Sequence, residues 1–491
     1  MQIDQTNIAK TVEAERVYSN RWLILINVVF VAFMVPLDAS VVNVALPVMT
    51  QKLSVTSEAI SWVLTSYLIV ITATVLIFGR LADMRGKSTV FSYGVLVFAL
   101  GSLLCGISNS FSFLIAARVV QALGGAAAMA TNQGIVAQVF PAHERGRALG
   151  ISGGAVALGS LVGPPLGGFI VSVLSWKFIF LMNVPIGVVA YVMGVRILPK
   201  TDRVAREKVD IKGTFMFLLA IAALFGSLIS EESLGNVNPL IIAGFIIAAI
   251  AALVFVRVEK RHKTPLLQLD MFKNSLYSLS ILCAFISFLS ISATILVQPF
   301  YLENTLRLSP ASTGLVMMAY PVVLSVLAPV GGYLSDRMGS EFLTFLGLIL
   351  TSLGLFLMST LGKHSSISMI VSFVAIMAAG NGVFQAPNNS LVMSLVPRGK
   401  LGIAGSINAF VRNLGMVFGV SMSAMLLYNR MSSNLGFHVT NYGPGMDDAF
   451  IYGMRVVYAA AGVMCAGGAA LTMYRLYGKK ARTGIAADAQ T

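Results

Sequence analysis

Three charged residues stand inside long apolar stretches: Asp38, Arg118 and Arg412. A charge at lipid depth is costly unless it is paired or serves a purpose, so each marks a candidate working group. Asp38 lies in a stretch spanning roughly residues 22–48, and Arg118 in one spanning 111–133. At 1.5 Å of helix rise per residue, Asp38 is ~15 Å below the outer end of its stretch and Arg118 ~10 Å below the same face. Those depths suit an ion pair, which costs far less than two isolated charges. If both face one central cavity, Asp38 is the group to carry a proton and Arg118 the group to tune it, since burial and a neighbouring guanidinium act on a carboxyl in opposite directions. The alternative is a static structural pair. Arg412, ~15 Å from the inner end of its stretch, either binds anionic groups, organises its half of the chain, or donates to helix carbonyls.

Groups placed in this way need membrane helices to hold them. Of the 491 residues, 57% are hydrophobic and only 11% charged, where a soluble domain carries about 25% charged residues. A soluble core large enough to hide so many apolar side chains is ruled out by surface-to-volume scaling. Fourteen segments approach the ~20 apolar residues that span a bilayer: 22–48, 58–80, 88–107, 111–133, 146–172, 178–198, 211–230, 238–258, 276–300, 312–334, 341–361, 367–390, 402–428 and 450–474. The expected fold is an all-α integral membrane protein.

The net charge of +14 comes mostly from alternate connections. Arg80, Arg85 and Lys87, then Arg145 and Arg147, then Lys200, Arg203, Arg206 and Lys208, then Arg257, Lys260, Arg261 and Lys263, then Arg398 and Lys400 all follow even-numbered spans. Arg475, Lys479, Lys480 and Arg482 follow the last. The positive-inside rule puts these connections and both termini in the cytoplasm. No basic stripe is interleaved with stacking aromatics, so nucleic acid is not an expected partner. Cys105, Cys283 and Cys465 lie in apolar stretches with neither disulfide nor zinc spacing. The polar first twenty residues lack the h-region of a signal peptide, so the first span is expected to remain as an anchor.

An internal repeat organises the chain. Gly79–Gly86 and Gly332–Gly339 both read G-x-L-[A/S]-D-x-x-G and follow the second and tenth spans. Two halves of like topology imply a parallel repeat about an axis along the membrane normal. The expected division is a cytoplasmic tail (1–21), a six-helix bundle (22–198), an inserted helix pair with basic flanks (199–263), a second six-helix bundle (264–474) and a cytoplasmic tail (475–491). The connection 429–449, with Asn441-Tyr-Gly-Pro-Gly-Met-Asp447-Asp448, is expected to be exposed and partly mobile.

Seven motifs in order carry a family resemblance: Leu37-Asp38 to Asn43 and Leu46-Pro47; Gly79 to Lys87; Leu114 through Arg118 to Gln121; Gly159-x-x-x-Gly163-Pro164-x-x-Gly167-Gly168; Trp176 to Asn183-Val-Pro185-Ile-Gly187; Gly380 to Asn389; and Gly402 to Gly415. The chain thereby resembles the fourteen-helix drug:proton antiporter branch of the major facilitator superfamily. Met84, Ser88 and Ala122 depart from the usual pattern. The resemblance implies proton-coupled export of amphipathic, drug-like compounds from the cytoplasm or inner leaflet of a bacterial inner membrane, with the proton gradient as energy source and no cofactor. Expected partners are the bilayer, protons and small amphipathic substrates; a periplasmic adaptor is left open.

The resemblance also implies a gating role for Asp83 and Lys87, and for Asp336 and Arg337 in the second half, as loop charges that change partners when the inner gate opens; the alternative is simple helix termination. Gly163, Pro164, Gly167 and Gly168 either bend and gate the fifth span or only pack it. Amide and aromatic groups in an apolar cavity suit amphipathic ligands. The candidates are Asn43, Tyr67, Gln121, Asn132, Gln298 and Tyr301, with Phe384, Gln385, Asn388, Asn389, Asn408 and Arg412 in the second half. The rival readings are a carrier of the same fold with one lipid, siderophore or metabolite cargo, and a membrane enzyme or sensor. There is no P-loop, clustered histidine or nucleophile with a positioned base, so neither an enzyme nor an ATP-driven pump is expected.

Overall fold

A computed structural model describes residues 15, 17–55, 57–199, 210–234, 239–262, 265–437, 439, 442–443 and 445–488. Lys200, Arg203, Arg206, Lys208, Lys263, Asn441 and Pro444 lie outside them, as do most of the N-terminal tail and the side chains of Arg475, Lys479, Lys480 and Arg482. Sixteen α-helices are described: α1 (Arg21–Leu53), α2 (Ser57–Arg85), α3 (Lys87–Ile107), α4 (Phe111–Val139), α5 (Ala142–Val173), α6 (Phe178–Leu181), α7 (Asn183–Ile197), α8 (Ile211–Leu234), α9 (Pro239–Glu259), α10 (Ser275–Phe300), α11 (Pro310–Met317), α12 (Ala319–Met338), α13 (Ser340–Met358), α14 (Ile367–Ser394), α15 (Leu401–Leu435) and α16 (Asp447–Asp488). The described residues contain no strand.

The fourteen expected spans are all present as helix, two of them in pieces. α6 and α7 meet at Met182, and α11 and α12 meet at Met318. Each joint has a proline three residues on, Pro185 and Pro321. A proline has no N–H for the carbonyl four residues back, so the ladder is interrupted there. By length and apolarity thirteen helical spans among the described residues are able to cross a membrane, while the apolar stretch in α8, Lys212–Ser227, is shorter. Phe169, Leu253, Leu315 and Met425 are each more than 60% exposed. So much outward apolar surface requires lipid around it.

The chain divides into two compact units. The first comprises residues 1–270 with 396–410, and so takes in the opening turns of α15. Within it α1 lies along α5, α4 packs on both α2 and α3, α7 covers α3, and α8 packs on α9 and α2. Small residues set the α1–α5 spacing. A Cβ on Gly159 would strike the Phe33 carbonyl and one on Gly163 would overlap Ser40, while on Gly167 it would stand 3.0 Å from the Val41 carbonyl. The Ser40 hydroxyl donates to the Ser160 carbonyl at 3.0 Å. α5 runs unbroken through Pro164 and Pro165, and Gly168 has nothing within 4 Å of an added Cβ.

The second unit comprises residues 271–395 and 411–491. α14 packs on α12 and α13, and α16 packs on α13 and α10. The expected long exposed connection is shorter, because α15 continues to Leu435. Its acids are tied down: Asp447 accepts from the Tyr442 hydroxyl at 2.6 Å, and Asp448 pairs with Lys363 at 2.7 Å.

The repeated motif builds the same turn in both units. Gly86 separates α2 from α3 at φ 96, ψ 131, and Gly339 separates α12 from α13 at φ 90, ψ 139. Side chains other than hydrogen strain at those angles, which fixes glycine there. Asp83, Lys87, Asp336 and Arg337 are therefore helical rather than loop residues, since one glycine suffices to reverse the chain.

Candidate functional site

Asp38 on α1 is the centre of a closed polar cluster in the first unit. Its Oδ2 accepts from Arg118 Nη1 of α4 at 2.6 Å. Its Oδ1 accepts from Gln121 Nε2, also on α4, and from Asn183 Nδ2 at the head of α7, both at 2.8 Å. Arg118 and Gln121 are three apart, so α4 presents both to α1 from one face. Asp38, Arg118 and Gln121 are all 0% exposed. The two charges thus meet as an enclosed pair and do not face an open cavity, because aromatic rings and neighbouring helices close around them.

The guanidinium is held on several sides. Nε donates to the Val63 carbonyl of α2 at 2.9 Å, and Nη1 also reaches Gln121 Oε1 at 2.7 Å. Its carbon sits 4.1 Å from the Tyr67 ring centroid and 5.5 Å from that of Phe180. Such stacking suits a planar, desolvated cation. Gln121 Nε2 donates further to Ser102 Oγ on α3 at 2.8 Å. Gly101 makes this possible, because a Cβ there would stand 2.5 Å from the Gln121 Cα. Among the described residues, Arg118 Nη2, Tyr67 OH and Asn183 Oδ1 have no hydrogen-bond partner.

The cluster is chemically specific to a carboxylate. An ionised carboxylate only accepts, and here three N–H groups converge on its two oxygens. A proton on the carboxyl turns one lone-pair site into a donor and removes the charge that strengthens the bonds from Arg118, Gln121 and Asn183. Those donors come from α4 and α7 while Asp38 is on α1, so one carboxylate joins three helices.

Asp83 forms a second constellation in the same unit. Its Oδ1 and Oδ2 accept from the backbone N–H groups of Gly402 and Ile403, each at 2.8 Å, and Lys87 Nζ lies 3.2 Å from Oδ1. The carboxylate thereby caps the first turn of α15, whose N–H groups have no intrahelical partners. Close approach requires two glycines: a Cβ on Gly79 would overlap Ser406, and one on Gly402 would stand 2.5 Å from Asp83 Oδ1. The second unit differs. Arg337 is exposed over the Tyr333 ring at 4.7 Å, Asp336 is half-buried, and Ser335 bonds to Ser340, which occupies the position of Lys87 in the repeat.

The expected binding residues are dispersed. Tyr67 and Gln121 belong to the Asp38 cluster. Asn43 is exposed on α1, and Asn132 holds the Val28 carbonyl at 3.3 Å and the Ser152 hydroxyl at 3.1 Å. Asn408 donates to Gln133 Oε1 at 3.0 Å. In the second unit Gln298 and Phe384 are buried, and Tyr301 donates to the Gly362 carbonyl at 2.7 Å. Gln385 bonds Asn381, Asn388 donates to the Ser280 carbonyl at 3.2 Å, and Asn389 and Arg412 are half-buried. A cleft of about 480 Å³ lies beside Lys52 and Lys177, and an apolar one of about 250 Å³ beside Met422 and Met464. Neither is lined by any of these residues. Asn183, Ser102 and the Val63 carbonyl join the cluster but are not among the expected site residues. Only Asn183 left a signal, as an amide within an apolar span just before Pro185.

The family model of the Major Facilitator Superfamily matches residues 28–257 and 280–489. The chain is 32% identical to the riboflavin transporter RibZ of Clostridioides difficile, over 92% of this chain and 97% of that one. It is 29% identical to the multidrug resistance protein Stp of Mycobacterium tuberculosis, over 84% and 77% of the two chains. Among solved structures, the proton:xylose symporter XylE superposes with a TM-score of 0.65 over 93% of this chain and 96% of that one, at 14% identity.

Proposed function

This chain belongs to the Major Facilitator Superfamily and is a multi-pass membrane transporter, not an enzyme, and on that premise we propose that it is a proton-coupled antiporter exporting amphipathic drug-like compounds. The observation that carries the reading is the enclosed Asp38 carboxylate with three donors from α4 and α7. Deprotonated, it holds α1, α4 and α7 together; protonated, it loses the charge that strengthens those bonds, and the packing of the three helices loosens. Alternating access then follows if that change of packing favours one orientation. Asp83, Lys87 and the α1–α5 glycines serve as gating elements in this scheme. One pH unit supplies ~1.4 kcal/mol per proton, and 100 mV adds ~2.3 kcal/mol per charge moved. The membrane is the bacterial cytoplasmic membrane, with both termini inside.

Similarity to multidrug resistance proteins supports a broad substrate range. Similarity to a riboflavin transporter supports the second reading, a carrier of the same fold with one lipid, siderophore or metabolite cargo. Purified protein in liposomes with an imposed pH gradient separates them. Gradient-driven movement of several unrelated amphipathic dyes supports the first reading. Movement of riboflavin alone supports the second, and no gradient dependence with any substrate defeats proton coupling.

A further inference from the structure

The helix pair α8–α9 carries a buried arrangement that the transport scheme does not use. Asp210, just before α8, and Glu259, the last residue of α9, are 4% and 3% exposed. Each commits one oxygen locally: Asp210 Oδ1 accepts from the Gly213 N–H at 2.9 Å, and Glu259 Oε2 accepts from the Leu267 N–H at 3.0 Å. The other oxygens, Asp210 Oδ2 and Glu259 Oε1, have no hydrogen-bond partner among the described residues. Both point to one spot. A Cβ on Gly213 would stand 2.6 Å from Glu259 Oε1 and closer still to Asp210 Oδ2, so the two oxygens are less than twice that distance apart.

Two enclosed carboxylates at such range repel unless one takes a proton or a cation stands beside them, and a proton held between the two is one way to remove the repulsion. Among the described residues, no group of three or more His, Cys, Asp and Glu is arranged to hold a metal ion. The titratable neighbour facing the pair, among the described residues, is His262, just beyond α9, whose Nε2 is 4.0 Å from Asp210 Oδ1. The segment after it offers Glu259 a backbone N–H, at Leu267. Gly213, with no side chain, leaves the gap open.

We propose that Asp210 and Glu259 form a proton-binding site that clasps the start of α8 to the end of α9, separate from Asp38. One proton bridges Asp210 Oδ2 and Glu259 Oε1. As pH rises the proton leaves, the two carboxylates repel, and the clasp loosens. An amide at either position donates permanently to the remaining carboxylate and so imitates the bridged state.

The test uses the full-length protein in lipid nanodiscs, with D210N and E259Q beside the parent. Infrared spectra across a pH series are expected to show a carboxylic C=O band in the parent that disappears as pH rises and is absent from both variants. Melting temperature is expected to fall with rising pH in the parent, with part of that fall missing in each variant. A pH-dependent band lost from one variant but kept in the other means an independent protonated acid and overturns the shared proton, whereas bands common to the parent and both variants belong to other carboxyls such as Asp38. No pH-dependent carboxylic band in the parent overturns it without reference to any variant. Recovery of the parent's high-pH melting temperature on adding Mg²⁺ or Ca²⁺, absent from the variants, marks a cation site instead.

Discussion

Arg118 Nη1 lies 2.6 Å from Asp38 Oδ2, in a cluster from which solvent is wholly excluded. The guanidinium meets a carboxylate, a side-chain amide and a main-chain carbonyl at once. Lysine has the charge but not the planar fork. Arg118→Lys is therefore expected to abolish gradient-driven transport and to destabilise by about 1–3 kcal/mol, the cost of a buried acceptor left unmet. Transport assays and thermal melts check the two halves of that statement. Unimpaired transport would mean that charge alone suffices.

Gly101 and Gln121 offer a subtler probe. Gly101→Ala pushes a methyl group against the backbone of α4 at Gln121. Overpacking of this sort costs about 1–3 kcal/mol, and here the displaced residue is a donor to Asp38. The expected outcome is weakened proton coupling with substrate affinity kept, read from the pH dependence of uptake against a binding titration.

The two ends of the glycine run on α5 are expected to behave oppositely. Gly163→Ala overlaps Ser40 on α1 and is expected to lower the melting temperature, at about 1–3 kcal/mol. Gly168→Ala meets nothing and gains helix propensity of about 0.5–1 kcal/mol. Equal behaviour of the two would mean that the α1–α5 contact does not depend on close approach.

Asp83→Ala removes the acceptor for two N–H groups of α15 and strands a buried lysine. Losing a helix cap costs about 0.5–2 kcal/mol, and an uncompensated buried charge about 3–5 kcal/mol. The double variant Asp83→Ala, Lys87→Ala is thus expected to melt higher than Asp83→Ala alone. The reverse order would show that Lys87 is not held by Asp83.

The spans are legible because lipid demands long apolar runs, and among the described residues α8 alone has a shorter apolar stretch. The joints at Met182 and Met318 were not read, although Pro185 and Pro321 announce them, because hydropathy is blind to a missing N–H. Depth arithmetic brought Asp38 and Arg118 to similar levels, and they are in contact. Asn183 and Ser102 escaped because single amides and hydroxyls pack anywhere in a membrane bundle; only three-dimensional convergence on Asp38 sets them apart. The dispersal of the proposed binding residues has the same origin. Residue type says that an amide needs a partner, and Asn132, Asn388 and Asn408 found theirs within the fold. Glycine and charge in the run Gly79–Gly86 suggest a loop, whereas helix continues to Arg85 and Gly86 alone makes the turn.

Gradient-driven transport by Asp38→Asn in proteoliposomes decides whether this carboxyl carries the coupling proton. Asparagine keeps the shape and a hydrogen-bonding group but cannot exchange a proton near neutral pH. The variant is expected still to bind substrate and still to exchange it across the membrane, while an imposed pH gradient no longer drives accumulation. Accumulation equal to the parent's would contradict that expectation and remove Asp38 from coupling.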